Sequence, residues 1–223
     1  MGKIVATAGG ADGGAGIGAT DKVDFNSPCG TIVINGGDIT ATGEYGAGIG
    51  GEDGGSGGNI TINGGRITAK GYDNGSGGAA GIGGGNDASA GTITINGGVV
   101  TAVGGNGIDN YWPGGAGIGG GGVNTADGTF STSSDGHAII FATGGTGSNG
   151  QTSGIGNNSN SSSWRGVIFQ GTSGKVYGTK ITISDSFEIP FGYTLEIPSG
   201  VTLVIPAGVT LTNNGSITGY GTL

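Results

Sequence analysis

The chain has 223 residues, of which 60 are glycine, and only 10% of the residues are charged and 6% aromatic. This composition is typical of low-complexity chains, but the glycines follow no G-X-Y period with abundant proline, and β-branched runs such as Thr31 to Ile34 interrupt them, which excludes collagen and favours a packed structure. The formal net charge of −8, with seven Lys or Arg residues, makes nucleic acid and anionic membrane surfaces poor partners.

The first residues of the chain are informative about the cellular location of the protein. Residues Met1 to Ile4 lack the apolar core of a signal peptide, and no apolar run of about 18 residues is present. We therefore expect no membrane insertion. Either the protein is cytosolic or a targeting segment has been removed, and we favour removal, which predicts an extracellular or cell-surface protein. The single cysteine, Cys29, excludes an internal disulfide and a thiolate zinc site, but it does not exclude secretion.

The strongest signal is an internal repeat of about 32–37 residues. The motif Ala-Gly-Ile-Gly begins at Ala15, Ala47, Ala80 and Ala116, and a weaker copy begins at Ser153. Two further segments recur with it, an Ile-x-Ile-Asn-Gly-Gly segment and an Ile-Thr-Ala-like segment. The first covers residues 32–37, 60–65 and 93–98, and the second covers residues 39–41, 67–69, 100–102 and 140–142.

Each repeat thus predicts three short strands joined by glycine-rich corners. Apolar and polar residues alternate in them, as in Ile60-Thr61-Ile62, and a period of two indicates strands and not helices. One repeat cannot bury its apolar face alone, whereas stacked repeats can. The predicted fold is therefore all-β, a right-handed parallel β-helix, or β-solenoid, of about three-stranded coils. We expect Ile34, Ile62 and Ile95 to stack in one interior column.

Two polar columns have mainly structural explanations. Asn35, Asn63 and Asn96 occupy the same corner of successive coils, which favours a hydrogen-bonded ladder of asparagines over a ligand site. Outward-facing threonines such as Thr61 and Thr94 raise the possibility of an ice-binding plane. Larger residues, including Phe141, interrupt that array, so the ordinary preference of strands for threonine is the better interpretation.

The corner between the Ile-Thr-Ala and Ala-Gly-Ile-Gly segments carries aromatic residues beside carboxylates. Aromatic faces pack against sugar rings, and carboxylates accept hydrogen bonds from hydroxyl groups. We therefore predict a ligand-binding edge here; the alternative is that the tyrosines cap loops and the acids solvate them. The predicted ligand-binding residues are Glu44, Tyr45, Tyr72, Asp73, Asp109, Tyr111 and Trp112.

The corner after Ala-Gly-Ile-Gly is rich in side-chain oxygens. Glu52, Asp53 and Asp87 are the candidate ligands for a Ca²⁺ ion, although the chain contains no EF-hand or nonapeptide calcium signature, and simple solvation of the loop is the alternative. Apart from this Ca²⁺, we expect no cofactor.

The evidence for catalysis is thin. His137 is the only histidine and lies in a predicted loop, and the two arginines, Arg66 and Arg165, are far apart in the repeat order. We assign no catalytic residue, although two carboxylates at a suitable separation would suffice for a glycosidase.

The C-terminal part follows a shorter pattern. We divide the chain into glycine-rich repeats over residues 1–179, with an irregular loop region around 127–165, and tighter coils over residues 180–223. In the tighter coils, segments such as Tyr193-Thr-Leu-Glu-Ile-Pro recur about every 7–8 residues, the length of one strand and one turn. We expect these coils to continue the same solenoid.

The motifs Ile-Thr-Ile-Asn-Gly-Gly, Ile-Thr-Ala and Gly-Ala-Gly-Ile-Gly-Gly resemble the glycine-rich β-helix repeats of large secreted proteins from Gram-positive, gut or cellulolytic bacteria. The resemblance covers roughly residues 1–145 and, more loosely, the Thr-Leu-x-Ile-Pro coils. It implies a β-helix on a bacterial surface, and some relatives of such repeats are carbohydrate-binding domains that recognise acidic plant polysaccharides with calcium in their loops. No binding residue is transferred from it, because the shared residues are those that the fold itself needs.

The sequence therefore favours a glycan-binding or adhesive module of a bacterial surface protein, with a polysaccharide or a host or cell-surface glycan as partner. A polysaccharide lyase or hydrolase is the second hypothesis, and a purely structural stalk is the third. The shape of the edge that carries Tyr45, Tyr72 and Trp112 separates the three. The sequence carries no signal for an oligomeric state.

Overall fold

The structure is a computed structural model, and it describes residues 2–9, 13–20, 27–73, 77–108, 112–122, 128–147, 150–151, 153–156 and 158–223. Within these residues nearly all regular structure is β-strand. The described ranges contain no α-helix, and their one helical element is a 3₁₀ helix at Asn158–Ser163. No helix in the described part of the chain has the length and apolar character needed to cross a bilayer.

Thirteen strands form the repeat region. They are β1 (Lys3–Thr7), β2 (Ile17–Gly18), β3 (Thr31–Ile34), β4 (Asp38–Thr42), β5 (Ile49–Gly50), β6 (Asn59–Ile62), β7 (Arg66–Lys70), β8 (Ile82–Gly83), β9 (Thr92–Ile95), β10 (Val99–Val103), β11 (Ile118–Gly119), β12 (Thr129–Thr132) and β13 (Ile139–Thr143). The remaining strands are β14 (Thr146–Gly147), β15 (Gly150–Gln151), β16 (Gly166–Gln170), β17 (Ser173–Tyr177), β18 (Lys180–Thr182), β19 (Phe187–Ile189), β20 (Thr194–Ile197), β21 (Thr202–Val204), β22 (Leu211–Asn213) and β23 (Ser216–Gly219).

The chain visits three sheets in turn and then returns to the first. The long sheet has the order β1-β4-β7-β10-β13-β16-β17-β20-β23, the short-strand sheet has the order β11-β8-β5-β2, and the third sheet has the order β12-β9-β6-β3. From β1 to β10 each strand therefore pairs with the strand three positions further along the chain, and these pairs are parallel. We call three consecutive strands, one from each sheet, a layer.

The register between layers aligns the repeat residue by residue. Ile34 pairs with Ile62, and Ile62 pairs with Ile95, which confirms the predicted interior column. Ile62 and Ile95 are fully buried and Ile34 is 7% exposed, while Thr61 on the opposite face is partly exposed. The inner cluster combines this column with the isoleucines of the short-strand sheet, among them Ile49 and Ile82, and with the alanines of the long sheet. The period of two in the sequence thus sorts residues between the core and the surface.

The Ala-Gly-Ile-Gly motif is explained by close contact between main chains. Gly81, the first glycine of one copy, lies against the end of β10, where an added Cβ atom would be 2.6 Å from the Val103 amide nitrogen. Gly83, the second glycine, has φ of +133° and lies against the main chain of Gly119 in the next layer. The alanine and the isoleucine of the motif, Ala80 and Ile82, are fully buried. The motif therefore combines two positions that exclude side chains with two that fill the core.

The asparagine ladder is confirmed. Asn63 Nδ2 donates to Asn35 Oδ1 at 2.7 Å, and Asn96 Nδ2 donates to Asn63 Oδ1 at 2.8 Å. In the following layer the ladder ends at Ser133, whose hydroxyl donates a hydrogen bond to the Asn96 main-chain carbonyl oxygen at 3.2 Å. Each asparagine side chain is hydrogen-bonded to the one in the adjacent layer, so this column contributes to the stacking of layers.

The direction of the chain reverses between β16 and β17. These two strands pair antiparallel, from Gly166 opposite Tyr177 to Gln170 opposite Ser173, and Gly171 has φ of +60° in the connecting turn. The strands β17, β20 and β23 then pair parallel with one another. The expectation of parallel strands is therefore wrong for this pair and for the short pair β14–β15, and it holds for the other pairs among the described strands. The long sheet does continue past residue 179, but in the opposite strand direction.

The residues after the reversal form a second apolar cluster, the outer cluster, on the other face of the long sheet. Strand β16 contributes to both clusters, because Ile168 belongs to the inner cluster and its neighbours Val167 and Phe169 belong to the outer one. Val99 and Ile139, on the outward face of β10 and β13, are also in the outer cluster. Strands β17, β20 and β23 extend the long sheet itself, whereas residues of β18, β19 and β21, among them Ile181, Phe187 and Leu203, belong to the cluster on its outward face.

Candidate functional site

The predicted ligand-binding edge contains a pair of tyrosines from adjacent layers. Tyr45 follows β4 and Tyr72 follows β7, and their ring centroids lie 4.3 Å apart with an angle of 30° between the planes. Tyr45 is 39% exposed and has φ of +63°, a backbone conformation that is costly for a bulky residue. We call Tyr45 and Tyr72 the aromatic edge. Two predicted site residues therefore meet, and together they present an amphipathic surface.

The environment of Tyr72 disfavours its ionised form. The pKa of Tyr72 is raised to about 12, mainly by desolvation and also by the hydrogen bond with Tyr45 and by the nearby charges of Tyr45 and Glu44. The Tyr72 phenol therefore remains protonated at neutral pH and can donate a hydrogen bond, because this value lies far above pH 7. Glu44 contributes a negative charge beside it.

A row of polar side chains continues from the aromatic edge across three layers. Lys70 Nζ donates to Asp73 Oδ2 at 2.8 Å, and the Asn106 side-chain nitrogen donates to Asp73 Oδ1 at 2.6 Å. Asn106 Oδ1 in turn accepts hydrogen bonds of 2.7 Å from the amide and the hydroxyl of Thr146. We call Lys70, Asp73, Asn106 and Thr146 the polar ladder. It places donors and acceptors in a fixed row beside two aromatic rings.

The polar ladder sets the charge of Asp73. Desolvation raises the pKa of this carboxyl, but the hydrogen bonds from Lys70 and from the backbone and side chain of Asn106, with the Lys70 charge, lower it by more, so that the net shift is downward. Asp73 is therefore an anion at neutral pH whose oxygens are already engaged by Lys70 and Asn106.

This shift predicts how acid acts on stability. Because the folded-state pKa of Asp73 lies below that of the unfolded chain, about 3.9, its stabilising contribution is present above that value and is lost as pH falls through the lower folded pKa. We expect the thermal midpoint of an Asp73→Asn variant to fall less steeply than that of the wild type as pH drops into this range. Thermal melts at a series of pH values measure this, with Asp135→Asn, which removes an exposed acid elsewhere, as the charge control. Parallel curves for wild type and Asp73→Asn would contradict the assignment.

The structure does not bring Trp112 into the aromatic edge. Trp112 is partly exposed, and among the described residues its ring makes no contact with Tyr45 or Tyr72. The position equivalent to Tyr72 in the next layer is Gly105, which lies against the Tyr72 carbonyl. The predicted residues Asp109 and Tyr111 lie outside the described residues. The aromatic surface that can be described is therefore two rings wide.

The oxygen-rich corner lies after the short-strand sheet. Glu52 is only 2% exposed, and Asp53 Oδ1 accepts a hydrogen bond of 3.2 Å from Asn86 Nδ2. That bond fixes the orientation of the Asn86 amide, whose Oδ1 is buried with no hydrogen-bond partner. Asp87 has φ of +53° and is exposed. Asn86 precedes Asp87 in the same oxygen-rich corner, but it was not one of the three predicted Ca²⁺ ligands.

No cluster of three or more His, Cys, Asp or Glu side chains suited to a metal ion is found among the described residues. Glu52, Asp53 and Asp87 therefore do not form such a cluster among the described residues. Calcium binding stays a prediction. The residues that could contribute oxygens are the three predicted acids and the amide oxygen of Asn86.

The histidine and one arginine have structural partners. His137 donates from Nδ1 to the Thr182 carbonyl oxygen at 2.8 Å, which links the repeat region to the C-terminal strands. Arg165 donates to the carbonyl oxygens of Ser162 and Trp164. Neither residue has a serine or carboxylate side-chain partner within the described part of the chain, so the geometry at these two positions is that of packing.

Comparison with known protein families, with curated proteins and with solved structures found no match. The distances, exposure and charges of the aromatic edge and the polar ladder are therefore the basis for a proposed function.

Proposed function

We propose that the chain is a right-handed parallel β-helix that binds a glycan at the aromatic edge, as a module of a bacterial surface protein. Support for the β-helix comes from the return of the chain to the same sheet after every three strands, with equivalent residues in register. Support for the hand comes from the strong general preference of parallel crossover connections for the right-handed form. The fold then provides a repeating edge on which side chains of successive layers lie in a row.

The observation that carries the binding function is the Tyr45–Tyr72 ring pair beside the polar ladder. Such rings offer apolar area to the faces of sugar rings at a low cost in side-chain entropy, and their hydroxyl groups keep a polar end in water. The ladder adds fixed hydrogen-bonding groups over three layers, a length of about 10 Å when layers are spaced like neighbouring strands. A short stretch of polysaccharide has matching dimensions and chemistry.

Charge makes the type of glycan testable. The chain carries a net charge of −8, and Glu44 and Asp73 lie at the edge, so an acidic glycan would be repelled unless a divalent cation bridged the two. A neutral glycan needs no such bridge. Binding to a neutral glycan is therefore expected without metal, and binding to an acidic glycan is expected to require Ca²⁺. Several copies on one surface would compensate for weak affinity at each site.

The test replaces one ring of the pair. In affinity electrophoresis against a panel of neutral and acidic polysaccharides, with and without Ca²⁺, we expect Tyr72→Ala to weaken binding about 2- to 12-fold, because it removes a stacking surface worth about 0.5–1.5 kcal/mol. Tyr220→Ala is the matched control, since Tyr220 is 92% exposed and lies outside the edge. Both variants should keep the wild-type thermal midpoint to within a few degrees.

Two results would contradict the proposal. If wild type and Tyr72→Ala are retarded equally by a glycan that the protein binds, the aromatic edge is not the site. If no glycan in the panel retards the wild type, the tyrosines cap their loops, and a structural stalk is the better explanation for the fold.

A further inference from the structure

A cavity lies between the outward face of the long sheet and the C-terminal strands, away from the aromatic edge. Its volume is ≈ 340 Å³, within the range of about 300–1,000 Å³ that is usual for small-molecule sites. Phe141 of the long sheet lines it together with Phe187 and Tyr193, and the ring centroids of both lie 6.3 Å from that of Phe141. Val99 and Phe187 are each 5% exposed, so these walls are packed against the outer cluster.

Two charged side chains line the same cavity. Arg66, the first residue of β7, donates from Nη2 to the Ser186 carbonyl oxygen at 3.3 Å. The salt bridges formed by the described residues join Lys70 to Asp73 and Lys175 to Glu196, and neither involves Arg66. Glu188 accepts a hydrogen bond of 2.7 Å from Asn214 through Oε1. Arg66 is exposed, and its guanidinium thus keeps N–H groups for a ligand at a cavity that Phe141, Phe187 and Tyr193 also line.

We propose that this cavity binds a small ring compound that carries one carboxylate group and at least one hydroxyl group. The planar guanidinium of Arg66 pairs with the carboxylate, because its fork of donors matches the two carboxylate oxygens. The ring of the ligand packs on Phe141 and Tyr193, and Glu188 accepts a hydrogen bond from the hydroxyl. The site shares no residue with the aromatic edge, so it stands or falls independently of the proposed glycan binding.

The ligand class is tested by saturation-transfer NMR on the wild-type chain with three probes. D-Glucuronate carries the carboxylate on a sugar ring, 4-hydroxybenzoate carries it on a flat aromatic ring, and D-glucose lacks it. Thr101→Phe, which fills the cavity, separates this site from the aromatic edge. We expect transfer to at least one of the two acids that is lost in Thr101→Phe, whereas transfer to glucose that persists in this variant comes from the aromatic edge. Cavity-dependent transfer to glucuronate alone identifies sugar acids as the class, and to 4-hydroxybenzoate alone identifies aromatic acids. No cavity-dependent transfer to either acid, or equal cavity-dependent transfer to glucose, overturns the proposal.

Two variants locate the binding in this cavity. Arg66→Met should weaken binding of the acid by about tenfold or more, since a hydrogen-bonded charge pair is lost. Lys3→Met is the matched control. Lys3 is in register with Arg66 in the long sheet, two strands away, and it lies outside the cavity, so this substitution also removes one positive charge but leaves the cavity unchanged. Thr101→Phe leaves Arg66 in place and fills the cavity, and it should also abolish binding. Unchanged affinity in Arg66→Met or in Thr101→Phe would contradict the assignment.

Discussion

Replacing Ile62 by alanine is expected to lower the free energy of unfolding by about 2–5 kcal/mol, because it leaves a cavity that neighbouring layers can fill only in part. Ile62 is fully buried and lies between Ile34 and Ile95 in the two adjacent layers. The loss therefore affects the contacts of three layers at once. Denaturant unfolding followed by circular dichroism measures it as a shift of the midpoint.

The control for this substitution is the neighbouring residue on the same strand. Thr61 faces outward and is partly exposed, so Thr61→Ala should cost at most about 1 kcal/mol, the full span of strand preference. The two variants differ in the face that they alter and not in the strand. Equal losses in Ile62→Ala and Thr61→Ala would mean that burial does not determine stability at this strand.

The layered β-structure could be predicted because one physical rule repeats in every layer. A strand with alternating apolar residues must bury one face, and the spacing of the Ile-x-Ile-Asn segments places Ile62 and Ile95 at equivalent positions. The same reasoning gives the asparagine ladder, since Asn63 and Asn96 occupy identical corners. In both cases the identity of the residue and its place in the repeat are sufficient.

The reversal of direction at residues 170–173 was not predicted, although the sequence contains two signals for it. The outward positions of the long sheet change from Asp38 and Arg66 to Val99, Ile139 and Val167, which is typical of a sheet covered on both faces. Gly171 also stands in a two-residue turn between β16 and β17, the connection that a hairpin requires. A repeat pattern gives no information on direction once the repeat itself ends.

The candidate site could be predicted only where the aromatic residue stands at a similar distance in sequence from the end of its strand in successive layers. Tyr45 stands three residues after β4 and Tyr72 two residues after β7, so their rings meet, whereas Trp112 stands nine residues after β10. Of the polar ladder only Asp73 was predicted, and its other members were missed because the residues of the ladder differ in type. Asp73, Asn106 and Thr146 each stand three residues after the end of their strand, and only the register of the long sheet shows that they are equivalent.

Replacing Gly83 by alanine should be among the most damaging changes of a single methyl group in this chain. Gly83 has φ of +133°, a conformation that costs a residue with a side chain about 1–3 kcal/mol. An added Cβ atom would also run into the carbonyl group of Gly119 in the next layer, and displacing packed main chain costs about 1–3 kcal/mol more. We therefore expect a loss of about 2–6 kcal/mol in the free energy of unfolding.

The matched control is Gly64→Ala, because an added Cβ atom at Gly64 comes no closer than 3.8 Å to its nearest neighbour, the Asn35 carbonyl oxygen. The free energy of unfolding of that variant should lie within about 1 kcal/mol of the wild-type value. Replacing glycine by alanine where the backbone conformation is compatible also reduces the entropy of the unfolded chain, which favours the folded state. The comparison tests the origin of the high glycine content. If glycine were present only for flexibility, the two variants would lose similar stability. If close stacking of main chains requires it, as the contact between Gly83 and Gly119 indicates, Gly83→Ala alone should shift the unfolding midpoint strongly.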